Sequence, residues 1–174
     1  ETMAAIQAYT VVKKLDRTTE LRDYPAHTLI SCEVDDNLAQ AGSRGFGPLV
    51  RYISGANQAR QQIAMTSPVL HAPQTARHHV ISFVLPEGMA PEDAPVPSDA
   101  RVTVVQVPPR QVAARRFSGG WRQSQVLDNA QELTKTVDKA GLVAVGEVFY
   151  GRYDPPWKPG FARRNEALVE VRRA

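Results

Sequence analysis

Apolar and polar positions alternate, or recur at helical spacing, along most of the chain, and these rhythms predict its elements. Tyr9–Arg17 and Thr19–Tyr24 read as strands, the second closed by Pro25 as an edge strand would be. His27–Val34, rich in Thr, Leu, Ile and Val, is a third strand. Asp35-Asp36-Asn37 then offers side chains able to cap free backbone N–H groups, a helix-start signal. Over Leu38–Ile53 the residues Leu38, Ala41, Phe46, Leu49, Val50 and Ile53 fall on one helical stripe. Gly42, Gly45, Gly47 and Pro48 oppose a helix there, so either packing holds it or it starts late or kinks near Pro48. Ser54-Gly55-Ala56-Asn57 ends it. Ile63–Leu70 and His78–Leu85 are two further strands, followed by a Pro-, Glu-, Asp- and Gly-rich loop from Pro86 to Pro97.

The second half repeats this plan. Arg101–Val107 and Gln111–Phe117 read as strands, and Ser118-Gly119-Gly120 as a turn. Trp121–Ala140 is a helix with Val126, Ala130, Leu133 and Val137 on one face and Gly141 as its stop. Val145–Tyr153 and Ala167–Arg172 are closing strands, joined by the proline-rich loop Asp154–Asn165. Apart from an extra first strand, each half reads strand, strand, helix, strand, strand. The expectation is one α+β domain over residues 1–174, with pseudo-repeat halves at about 9–85 and 101–173 and a linker at 86–100. Their sheets are expected to join into one curved or barrel-like antiparallel sheet with two helices on it.

Composition narrows this picture. A chain of 174 residues, 43% hydrophobic and 22% charged, needs no covalent staple to build a core. Cys32 is the lone cysteine, so no internal disulfide can form, and its strand-like setting predicts buried packing. The net charge of +3, with basic residues in pairs, does not suggest nucleic acid. No stretch approaches the ~20 apolar residues of a membrane span, and Glu1–Gln7 does not resemble a signal peptide. A cytoplasmic protein with no membrane or nucleic-acid partner is the expectation.

Candidate chemistry is sparse. The sequence holds no dinucleotide-binding, Walker-type, His-Glu-x-x-His or Gly-x-Ser-x-Gly motif. His78 and His79 should point to opposite faces of a strand, and no pair among His27, His71, His78 and His79 has metal-ligand spacing. Glu147 alternates with Val145 and Phe149, as an acid on an apolar strand face that could bind a cation or act as a base, or as a strand-edge glutamate in water or paired with an arginine. Tyr153–Glu166 combines stiffening prolines, flat apolar surfaces at Trp157 and Phe161, and cations at Lys158, Arg163 and Arg164. That mixture suits a flat, apolar, dianionic ligand, or a loop whose aromatics close the sheet end.

Several segments together resemble the SOUL haem-binding protein family. They are Glu20–Ala26, Gly45-Phe46 with Leu49, Tyr52–Asn57, Ile63–Val69, Ser82–Pro86, Arg116–Gly119, Tyr153–Pro159 and Arg163–Glu166, in order over nearly the whole chain. The resemblance implies a duplicated βαββ-type unit, a distorted barrel-like sheet flanked by two helices, and haem or another porphyrin as bound ligand. It implies a site between the first helix and the loop before the last strand. Carried over by position, the apolar wall is Phe46, Leu49, Val50 and Ile53, the cations are Arg51 and Lys158, and Trp157 accompanies them. One basic position of the family is Ser43 here, with Arg44 beside it. Where some members are proposed to place an axial histidine this chain has Asp23, so iron ligation is not expected, with His27 and His71 as the remaining histidines to watch. The implied role is buffering, transport or delivery of a tetrapyrrole. The alternatives are an enzyme that removes its metal or modifies the ring, with Glu147, Tyr153, Asp154 and the histidines as candidate acids and bases, or an effector-binding module of the gyrase-inhibitor-like type built around Glu147.

Overall fold

A computed structural model describes residues 4–155 and 157–174. Pro156, part of the closing-loop motif, lies outside the described residues, as do Glu1, Thr2 and Met3. The elements run β1 (Ala5–Ile6), β2 (Thr10–Lys14), β3 (Thr19–Tyr24), β4 (His27–Asp35), α1 (Leu38–Ile53), β5 (Thr66–Ser67), β6 (Val69–Pro73), β7 (His78–Val84), β8 (Val102–Val107), β9 (Arg110–Phe117), α2 (Gln123–Lys139), β10 (Leu142–Arg152) and β11 (Asn165–Arg173). One-turn 3-10 helices lie at Pro91–Asp93 and Gly160–Ala162.

The chain forms two compact units, Glu1–Ala8 with Ala26–Pro108, and Tyr9–Pro25 with Pro109–Ala174. In the first, the sheet order is β6-β7-β4-β8, all antiparallel, and β1 pairs with β5 in parallel. In the second it is β2-β3-β9-β11-β10, again antiparallel. Each unit contains the same βαββ run: β4-α1-β6-β7 and β9-α2-β10-β11. In each, the last strand of the run lies between the other two. The extra strand at the outer side of that trio is β8 in the first unit and β3 in the second. The fold is therefore α+β with a duplicated βαββ-type unit. The segment Tyr9–Pro25 belongs with the second unit although it precedes the first repeat in sequence.

α1 spans the predicted residues without a late start. The Asn37 side chain accepts a hydrogen bond from the Gln40 N–H at 2.9 Å, and Ser54 ends the helix. Its buried face is Ala41, Gly45, Pro48, Leu49, Tyr52 and Ile53, packed on β4 and β7 in a core with Ile30, Cys32, Val34, Ile81 and Phe83. Gly45 is needed for this approach: a Cβ there would lie 2.5 Å from Ile81 Cγ1. In the second unit α2 buries Val126, Leu133 and Val137 against β9, β10 and β11, and the Gly141 backbone (φ 72°) stops it.

Two predicted strands differ. Ile63–Leu70 divides into β5 and β6 at Pro68, which has no N–H to give a ladder. β10 is longer than predicted, and its register with β11 shifts between Val145 and Phe149, where Gly146 has φ 82°. The bulge breaks the alternation that put Glu147 on one face with Val145 and Phe149. Glu147 is exposed.

Candidate functional site

The residues predicted to contact a ligand fall in both units. In the first unit, α1 carries five of them with different fates. Leu49 and Ile53 are in the core and turned from solvent. Val50 is half-buried against the same core. Phe46 is 44% exposed, its ring set edge-on to Phe83 with centroids 5.3 Å apart. Arg51 is exposed, with its guanidinium folded toward Gly47, where a Cβ would lie 3.3 Å from Nη1. Of the predicted wall, only Phe46 and part of Val50 face outward beside Arg51. Arg44 is paired with Asp36 at 3.1 Å.

In the second unit the closing loop is tied at its base. Asp154 accepts hydrogen bonds from the Arg164 backbone N–H and from Lys158 Nζ, the latter at 2.9 Å. Arg163 Nε donates to the Lys158 carbonyl at 2.6 Å, and the Tyr153 N–H donates to the Arg164 carbonyl at 3.1 Å. Burial pushes the Asp154 pKa up, but the Arg164 N–H and Lys158 outweigh it and the carboxyl is held below its usual range. On this braced loop Trp157 is 83% exposed and Phe161 85%. Two large aromatic rings left in water on a stiff loop are what a surface that binds flat apolar groups would present.

Three of the four histidines offer such a ligand little. His71 and His79 are buried and share a hydrogen bond, Nε2 to Nδ1 at 2.9 Å, so His71 cannot turn outward without breaking it. His78 lies on the opposite strand face from His79, at 2.7 Å from Asp35. Among the described residues no group of three or more His, Cys, Asp or Glu could hold a metal ion.

Missed from the sequence was an ionic cluster around a fully buried acid. Glu166 on β11 accepts two hydrogen bonds from Arg22 on β3, at 2.8 and 2.5 Å, one from Tyr153 at 2.7 Å and one from Arg164 at 3.1 Å. Arg22 lies 4.1 Å from the centroid of Tyr9 and also donates to the Tyr24 hydroxyl. Burial raises the Glu166 pKa, but the hydrogen bonds and charge of Arg22 prevail and it stays ionised. Burial, then the charge of Glu166, pushes the Tyr153 phenol up. The Glu166 carboxylate is matched on both oxygens, although the buried Arg164 Nε has no hydrogen-bond partner among the described residues, and Tyr153 and Asp154 are both engaged in structural bonds. One signal was available: an acid followed directly by Ala167-Leu168-Val169 in a strand needs a buried partner. That the partner is Arg22, 144 residues away, was not readable.

Comparison with known proteins agrees with this architecture. The chain is 26% identical over 153 residues to Heme-binding protein 1 of Xenopus laevis, covering 84% of this chain and 80% of that one. The C-terminal domain of EcmrR superposes with a TM-score of 0.69 at 10% identity, covering 95% of this chain and 99% of that domain. SAV2435, solved bound to tetraphenylphosphonium, gives 0.52 at 13% identity, with 88% of this chain and 93% of that one covered. At those identities the two structures speak for the fold alone. Among the described residues no helix is long and apolar enough to cross a membrane. The profile described as SOUL heme-binding protein matches residues 6–170, and the chain belongs to that family.

Proposed function

We propose that this protein binds haem or a related tetrapyrrole, for buffering, transport or delivery, and that it does so in the cytoplasm. Membership of the SOUL heme-binding family over residues 6–170 carries the reading, and the similarity to Heme-binding protein 1 supports it. Two sets of side chains are suited to the ligand: Phe46, Val50 and Arg51 on α1, and Trp157 and Lys158 on the closing loop. A porphyrin face buried against apolar side chains gains about 25 cal/mol per Å² before the costs of association. Its carboxylates favour Arg and Lys.

The effector-binding alternative is less well supported. The acid expected to attract a cation, Glu147, is exposed on a bulge, and the buried acid, Glu166, is already matched by Arg22 and Arg164. For a ring-modifying or metal-removing enzyme, two of the candidate acids and bases, Tyr153 and Asp154, already hold the loop in place.

Hemin titrated into the protein should give a saturable Soret shift. Arg51→Ala and Lys158→Ala should each weaken it severalfold and together more strongly. A shift unaltered in the double variant would remove these two residues from the site, and free porphyrin or biliverdin accumulating in the mixture would replace binding with catalysis.

A further inference from the structure

We propose that Arg152, with Arg163 nearby, receives a carboxylate of the tetrapyrrole beside the Trp121 ring. This rests on the proposed function and adds a carboxylate site within the second unit to it.

The local structure is built by backbone ties. The Gly119 N–H donates to the Gly160 carbonyl at 2.7 Å, and buried Asn165 donates to the Gly119 carbonyl at 3.2 Å. A Cβ on Gly160 would lie 3.4 Å from the Gly120 nitrogen. These ties hold the Ser118–Gly120 turn, which leads into Trp121, against the Gly160–Ala162 helical turn, which leads into Arg163. Arg152, at the end of β10, is the cross-strand partner of Asn165. Its guanidinium lies over the Trp121 ring, 4.5 Å from the centroid, and the ring meets Tyr150 edge-on.

Arg152 differs from Arg22 on β3, Arg110 on β9 and Arg164 just before β11, each of which has a carboxylate partner, while the half-buried Arg115 is held by Asn129 and Thr18. Arg22 and Arg164 pair with Glu166, and Arg110 with Glu170. Among the described residues Arg152 has no carboxylate within ion-pair distance. Burial, and then the charge of Arg163, lowers its pKa. A carboxylate arriving there would be matched by a guanidinium already oriented on an aromatic ring. Phe161, 85% exposed and two residues before Arg163, offers an apolar surface for the body of the same ligand.

Protoporphyrin IX and its dimethyl ester, which has the same ring without the charges, are the probes. They would be titrated into the wild type, Arg152→Gln and Arg163→Gln, with each variant checked by urea unfolding. Arg152→Gln should weaken the diacid at least about tenfold, the scale of one charge-assisted hydrogen bond. Arg163→Gln should weaken it less, and the ester should bind all three proteins alike. Diacid affinity within twofold of wild type in Arg152→Gln overturns the proposal, as does an equal loss for the ester. If Arg152→Gln does not fold, Arg152→Lys must keep a preference for diacid over ester, and loss of that preference overturns it too. Wild-type protein that binds neither porphyrin overturns the proposed function and this inference with it.

Discussion

Glu166 stands in a strand beside Ala167, Leu168 and Val169, where an unpaired charge would cost several kcal/mol. Arg22, 3% exposed, meets it in a two-pronged bond, and Tyr153 and Arg164 occupy further lone-pair sites. Removing the charge strands Arg22, so Glu166→Gln should lower stability by about 3 kcal/mol in urea unfolding. A change under about 0.5 kcal/mol would mean the pair is dispensable. His78 is a solvated counterpart. A hydrogen bond to Asp35, reinforced by Glu33, raises its pKa above the ordinary 6.5. Because the folded value is the higher one, its stabilising contribution is complete below 6.5 and is lost as pH rises through the folded value. NMR titration should find the His78 midpoint above 6.5, and Asp35→Asn should move it down; an unmoved midpoint contradicts the pairing. Residue identity alone left both histidine pairings open. The separation of His78 from His79 followed from strand alternation, whereas the bond between His71 and His79 depends on how β6 registers with β7.

Among the elements, α1 was the most legible and also the most misleading. Asn37, Ser54 and the apolar spacing mark its bounds. The true buried face, however, includes Gly45 and Tyr52, while Phe46 looks outward. A glycine adds nothing to an apolar pattern, yet here it lets the helix lie against Ile81, while the neighbouring phenylalanine counted toward a face it only borders. Gly45→Val should therefore cost about 1–3 kcal/mol through overpacking, offset by only about a few tenths of a kcal/mol from the better helix propensity of valine relative to glycine. Thermal or urea unfolding would register it; a variant as stable as wild type would show that α1 can move off β7 freely. The bulge in β10 had no counterpart in the hydrophobic pattern. Gly146 was its only mark, and it takes Glu147 out of the role an alternating strand would have given it.

Across the molecule, the repeated βαββ order was legible because each half carries its own helix between strand pairs. The matching strand orders, β6-β7-β4-β8 and β10-β11-β9-β3, give that repeat a structural basis. The membership of Tyr9–Pro25 in the second unit was not legible, since pairing between β3 and β9 is set by contacts far apart in sequence. The same limit applies to ligand chemistry. Trp157, Phe161 and Lys158 could be recognised as loop residues, but Arg152 became distinctive only once Trp121 and Asn165 were placed around it. Tetrapyrrole binding through ring faces and carboxylates, without a histidine bond to iron, is the central claim. Parallel titrations of hemin and metal-free protoporphyrin IX test it most directly. Saturable binding of both, with affinities within a few fold, is the predicted result; no saturation with either, or saturation with hemin alone, would contradict it.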